Sequence, residues 1–250
     1  MRNWILITLY ISSITIPEMS KPVVRPSIIS HNIHSQSEDA QETDKFMTRL
    51  RDVKFSGLIE SSMWTLTHDY KDSKQVDVVL NTVMRYLEAF TKYEQGDGSS
   101  LKQLGGTKQL KGQLAIWLND NDQAVRAFAA TMLGISGDHT YAPQIAKLLL
   151  KKEQTSDHIL YDRGRAALAL GILQAKEYSK EIVMLLSSTN EFDRSGAAQG
   201  LGWMGNKEHA KAVAQLLNDG DENVRAAAKY ALEMMGASEL IKDKNEEEDL

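Results

Sequence analysis

Six histidines are the first side chains to weigh in this chain, because imidazole is the commonest metal ligand and a frequent general base. They are His31, His34, His68, His139, His158 and His209. His31 and His34 stand three apart in a polar stretch and supply at most half of a metal site. No two of the others are four apart, so there is no helical zinc pair of the metalloprotease kind. The chain has no cysteine, which excludes disulfides, thiolate nucleophiles and cysteine-held zinc. Neither a P-loop nor a G-x-S-x-G turn occurs. Gly196, Gly200, Gly202 and Gly205 resemble a phosphate-binding loop in composition, but their spacing fits close packing of helices. No catalytic, metal-ligating or cofactor-binding residue is assigned, and no cofactor is expected.

The remaining chemistry is recognition by charge. Gln144, Lys147, Lys151 and Lys152 form one polar group, Lys180, Glu181 and Met184 a second, and Lys207, Lys211 and Gln215 a third. Lys147, Lys151, Met184, Lys211 and Gln215 are the candidate partner contacts. Their ammonium groups suit an acidic peptide; the ordinary alternative is a solvated helix face.

Those groups recur because the sequence repeats. The segment from Leu118 reads LNDNDQAVRAFA and the segment from Leu217 reads LNDGDENVRAAA. Two weaker copies lie between them. Arg126, Arg163, Arg194 and Arg225 define one column, at intervals of 37, 31 and 31 residues. Three residues on come Ala129, Ala166, Ala197 and Ala228, and seven on come Leu133, Leu170, Leu201 and Leu232. Eight on come Gly134, Gly171 and Gly202, where Glu233 breaks the column. Ile135, Ile172, Trp203 and Met234 follow, an apolar column in which Trp203 reads as core. A second apolar set holds Ile145, Ile182 and Val213, then the pairs Leu148-Leu149, Leu185-Leu186 and Leu216-Leu217.

The first set lies on one stripe of an α-helix and the second set marks a second helix. Gly137-Asp138 and Gly205-Asn206 fit the turn between them. Asp120, Asp122, Asn190, Asp219 and Asp221 are candidate N-caps of the first helices. Each unit is a helical hairpin that cannot bury its stripe alone, so copies must stack.

The pattern D-x-x-V-R-x-x-A-x-x-x-L-G, followed by a second helix ending in Leu-Leu, resembles the HEAT-like repeats of the phycobilisome-lyase type. The resemblance covers Leu114 to Ala237. It implies an all-α fold, a right-handed α-solenoid of antiparallel helix pairs with the second helices lining its inner face. It also implies that Arg126, Arg163, Arg194 and Arg225 are structural, bridging neighbouring repeats. Deoxyhypusine hydroxylases, related enzymes, hold iron through repeated His-Glu dipeptides; this chain has none, and only the reverse, Glu208-His209, occurs. The repeat by itself does not carry lyase chemistry.

The other segments frame the array. In residues 1–20, Arg2 precedes an uncharged run from Trp4 to Ile16 that Pro17 ends, the pattern of a signal peptide. That run is too short to span a bilayer, and no later one is long enough. Residues 21–44 read as a flexible linker. Residues 45–113 read as a helical N-terminal cap with a degenerate first repeat. Phe46, Leu50, Val53, Leu58, Ile59, Met63 and Trp64 are its buried candidates, Val76 to Tyr93 is a helix, and Gln95 to Thr107 is a loop. Residues 114–241 hold the HEAT-like repeats and 242–250 an acidic tail. The net charge of −5 argues against nucleic-acid binding. The expectation is a non-catalytic protein-protein interaction scaffold with a protein partner, secreted or periplasmic, otherwise cytoplasmic. The alternative is an enzyme-associated, lyase-like or chaperone-like module that holds a substrate or cofactor.

Overall fold

The computed structural model describes residues 38–50, 52–68, 74–151 and 162–241. All regular structure among them is helical. The expected signal peptide, the linker up to residue 37, the tail, His31, His34, Lys152 and His158 lie outside the described residues.

Three long helices come first: α1 (Glu38–Leu50), α2 (Val53–His68) and α3 (Lys74–Glu94). A five-residue helix α4 (Ser99–Gln103) leads to α5 (Gly106–Trp117). The hairpins follow, each with a long first helix and a short second one. These are α6 (Gln123–Ser136) with α7 (Ala142–Leu149), α8 (Asp162–Ile172) with α9 (Ser179–Met184), and α10 (Glu191–Met204) with α11 (Ala210–Ala214). Helix α12 (Glu222–Met234) is the first helix of a fourth unit.

The first helices lie side by side in chain order, α6 on α8, α8 on α10 and α10 on α12. The second helices α7, α9 and α11 each pack on the first helix that follows, as α5 does on α6. Small side chains permit this. A Cβ added at Gly171 or Gly200 would fall on the backbone of the facing helix, Gly200 and Ala167 respectively. At Gly134 and Gly202 it would meet the Cα atoms of Ala169 and Ala231 at 2.8 Å. The glycine column is therefore helix packing. Leu133, Leu170, Leu201 and Leu232 are fully buried, each contributing about 1.5–3 kcal/mol.

The ends of the helices follow from local chemistry. Asp122, Asn190 and Asp221 accept hydrogen bonds from the first-turn amides of α6, α10 and α12. Asp120 and Asp219 are not N-caps: their carboxylates turn the loop by accepting from the amides of Asp122 and Asp221. Eleven residues after each ladder arginine the backbone is left-handed, at Gly137, Gly205 and Gly236 with φ of 73°, 63° and 66°. Gln174 occupies the same position with φ 59°.

Helix α6 is buried along its whole length, because α1, α2, α3, α5 and α8 all pack on it. Three contacts fasten α1 there. Thr43 and Thr107 share a buried hydrogen bond of 3.0 Å. Arg49 donates to the carbonyls of Ile135 and Gly134 at the end of α6. Buried Lys111 donates to Glu42 and, at 2.7 Å, to Asp138. Burial alone would lower the Lys111 ammonium; the two carboxylates outweigh it and hold it above the usual value.

Several expectations for this region change. Helix α1 starts at Glu38, inside the expected linker, because Thr43, Phe46, Met47 and Leu50 form a buried stripe on an otherwise polar segment. The stretch 95–107 is not a plain loop, since it contains α4 and the start of α5. Phe46, Leu50 and Met63 are buried and Leu58 and Ile59 half-buried. Trp64 is exposed instead; the Val53 side chain lies outside the described residues.

Candidate functional site

The second helices turn one face outward, and its register is fixed by the leucine pairs, all buried except the half-buried Leu217. Each pair enters the core at the C-terminal end of a second helix, so the residue just before it points away. Lys147, Met184 and Gln215 hold that position in successive hairpins, and all three are exposed. Lys211 lies one turn earlier on α11 and Lys151 directly after α7; both are exposed. All five candidate residues are exposed, on or just after the second helices. Lys151 is held below the usual lysine value, first by desolvation and then by the charge of Arg126, with Asp162 opposing.

The arginine column does different work. Arg126 donates Nη1 to the carbonyls of Asp120 and Asn121 at 2.8 Å and Nε to Asp162 at 2.7 Å. Arg163 meets Asp193 at 3.2 Å. Arg194 donates Nη1 to the carbonyls of Ser188 and Thr189 at 2.9 and 3.1 Å, and its other arms to Asp219. Each of these guanidiniums reaches an acid of the next hairpin, and Arg126 and Arg194 also hold their own loops. Arg225 repeats the loop contacts, to the carbonyls of Asp219 and Gly220 at 2.7 and 3.1 Å, and forms no ion pair among the described residues.

The acid follows a rule that the sequence displays but the column search missed. Where the residue before the next arginine is aspartate, at 162 and 193, it takes the bridge. Where that residue is Val224, the acid moves six residues ahead of the arginine, to Asp219. Both positions reach the guanidinium, because the arginine already grips the carbonyl six residues before it. The signal was the column directly before the arginine, which reads Val125, Asp162, Asp193 and Val224.

A second concave feature lies between α2 and the first helices. A groove of about 260 Å³ is lined by Trp64, Arg165, Leu168, Phe192 and Gln199, with Gly164 and Gly196 also on its wall. Arg165 donates to Ser61 at 2.8 Å across it. Its aromatic members were not expected to meet, since Trp64 read as core.

Among the described residues, no histidines are grouped into a metal site. His139 is exposed and His209 half-buried, each in the turn before a second helix. Among the described residues no group of three or more His, Asp or Glu side chains is placed to hold a metal ion. Among them, too, no helix is long and apolar enough to cross a membrane.

No curated protein matches the chain. Residues 154–233 match the family model of HEAT repeats, and this match, spanning the second to fourth ladder arginines, supports a HEAT-like repeat family for the array.

Proposed function

We propose that this chain is a non-catalytic scaffold that binds another protein across its second-helix face. The observation that carries the reading is the shared register of Lys147, Met184 and Gln215, exposed on successive hairpins. A stacked array with a repeated outward face offers an extended surface, which is how such repeats are used. The finer architecture we propose is a right-handed α-solenoid of phycobilisome-lyase-type repeats, supported by the D-x-x-V-R columns. The place of action we propose is outside the cytoplasm, supported by Arg2 and the uncharged run from Trp4 to Ile16.

The Trp64–Arg165–Phe192 groove favours a second reading, an enzyme-associated module that holds a substrate or cofactor. Aromatic walls and one cation are features of small-molecule sites. The native protein, purified from its host by compartment and weighed intact, separates the two. A co-purifying protein and an N-terminus near residue 20 support the exported scaffold. Retention of Met1 with a bound small molecule moves the second reading to first place.

A further inference from the structure

The second-helix face combines the most exposed apolar side chains with lysines. Ile116 directly precedes the buried Trp117-Leu118 pair of α5, so it holds the register of Lys147 and Met184. Ile116, Leu150 and Met184 are 66 %, 75 % and 72 % exposed, the three most exposed large apolar residues described. They sit on three consecutive second helices. Charge there is one-sided. Across residues 106–118, 139–151, 176–187 and 207–218, seven exposed lysines stand against two exposed glutamates, Glu177 and Glu208. The whole chain carries −5, so this face opposes the net charge. Both glutamates lie in the turns that begin the second helices, at the rim.

We propose that this face takes an acidic amphipathic segment of another protein. Its apolar side chains lie on Ile116, Leu150 and Met184, and its carboxylates meet Lys147, Lys151, Lys180 and Lys211. The inference rests on the scaffold reading and names the partner's chemistry. Packed helices stand about 8–10 Å apart, so crossing four of them takes a segment of about 20 helical residues. Anionic lipid shares the charge, but lipid-binding helices set their cations beside one continuous apolar band. Here lysines and apolar residues share the same helices, Lys147 and Lys151 beside Leu150 and Lys180 beside Met184, so no continuous apolar band forms.

Three labelled 20-residue probes and one vesicle test this by fluorescence anisotropy and sedimentation: an amphipathic Glu/Leu peptide, its Lys/Leu counterpart, a Glu-only peptide, and phosphatidylserine vesicles. The Glu/Leu peptide is expected to bind best. Lys147→Glu with Lys180→Glu, or Met184→Asp alone, weakens it by about tenfold or more. Arg165→Ala in the groove leaves it unchanged. These side chains are exposed, so the thermal melt is expected to stay put. Equal binding by face variants and wild type overturns the proposal. So does a preference for the Lys/Leu peptide, binding of vesicles alone, or no binding of the Glu/Leu peptide. A face-reversed variant that keeps a protein co-purifying with wild type from the host sinks this inference and leaves the scaffold reading standing. A wild-type chain that co-purifies with no protein sinks the scaffold reading itself.

Discussion

Arg194 and Asp219, on neighbouring hairpins, meet through both arms of the guanidinium, Nε to Oδ2 at 2.7 Å and Nη2 to Oδ1 at 2.7 Å. The fork geometry matches a carboxylate and makes the pair stronger than a single-point contact. It fixes the hairpins' relative rotation while the glycine column fixes their separation. The ladder therefore sets the shape of the array, and so the spacing of residues on the second-helix face.

Removing the carboxylate tests the pair. The Arg194 hydrogen bond holds the Asp219 carboxyl below its usual value. A folded-state value below the unfolded one stabilises the fold above the unfolded pKa of about 3.9, and that contribution is lost as pH falls through the folded value. Asp219→Asn is expected to cost about 1–3 kcal/mol at neutral pH. Urea unfolding should show wild type and variant converging below about pH 4. A gap that persists to low pH contradicts the assignment, and so does an unchanged melting midpoint for Arg194→Ala at pH 7.

The glycines make opposite predictions at two sites. Gly171→Ala drives a methyl group into the Gly200 backbone and is expected to destabilise by about 2–3 kcal/mol. Gly112→Ala, on α5 with nothing within 4 Å of the added carbon, is expected to stabilise by about 0.5–1 kcal/mol. Thermal melts of the two variants check both signs, and a Gly171→Ala protein as stable as wild type would remove the close-packing explanation of the column.

Gln174 sits where the other hairpins use glycine, at φ 59°, and its side chain donates to the Trp203 carbonyl at the end of α10. The strain and the bond oppose each other. Gln174→Ala keeps the strain and loses the bond. Gln174→Gly loses both. The glycine variant is therefore expected to be the more stable of the two by about 1 kcal/mol, measured by chemical denaturation. The reverse order would mean that the backbone costs nothing here.

Helix α12 closes the described stack with charge. Gly134, Gly171 and Gly202 face the next first helix, and Glu233 replaces them on α12. Four residues after the arginine, Ala130, Ala167 and Ala198 give way to Lys229. Both Lys229 and Glu233 are exposed, and seating a further first helix on α12 would strip water from both charges. The Lys229→Ala, Glu233→Gly double variant uncovers a stackable face. It is expected to self-associate with rising concentration in analytical ultracentrifugation, where wild type does not. Identical sedimentation of the two proteins contradicts the capping role.

Much of this was written in the sequence, and the gaps have physical causes. The arginine, alanine, leucine and glycine columns were legible because identical packing demands identical residue types. The acidic partners were not, because the acid lies directly before the next arginine at Asp162 and Asp193 but six residues before it at Asp219. The first two turns of α1 hid because their one buried residue is Thr43, whose partner Thr107 is distant in sequence. Trp64 misled because an aromatic residue on a helix reads as core. The five face residues were legible one by one. Their grouping with Ile116 and Leu150 depends on which side of each leucine pair turns outward.

Hydrogen exchange on the complex with the native partner tests the central claim most directly. The account predicts that partner binding slows exchange in residues 142–151, 179–187 and 210–218 and leaves residues 61–64 and 164–168 unchanged. Protection confined to the groove around Trp64 and Arg165, with the second helices unaltered, would contradict it.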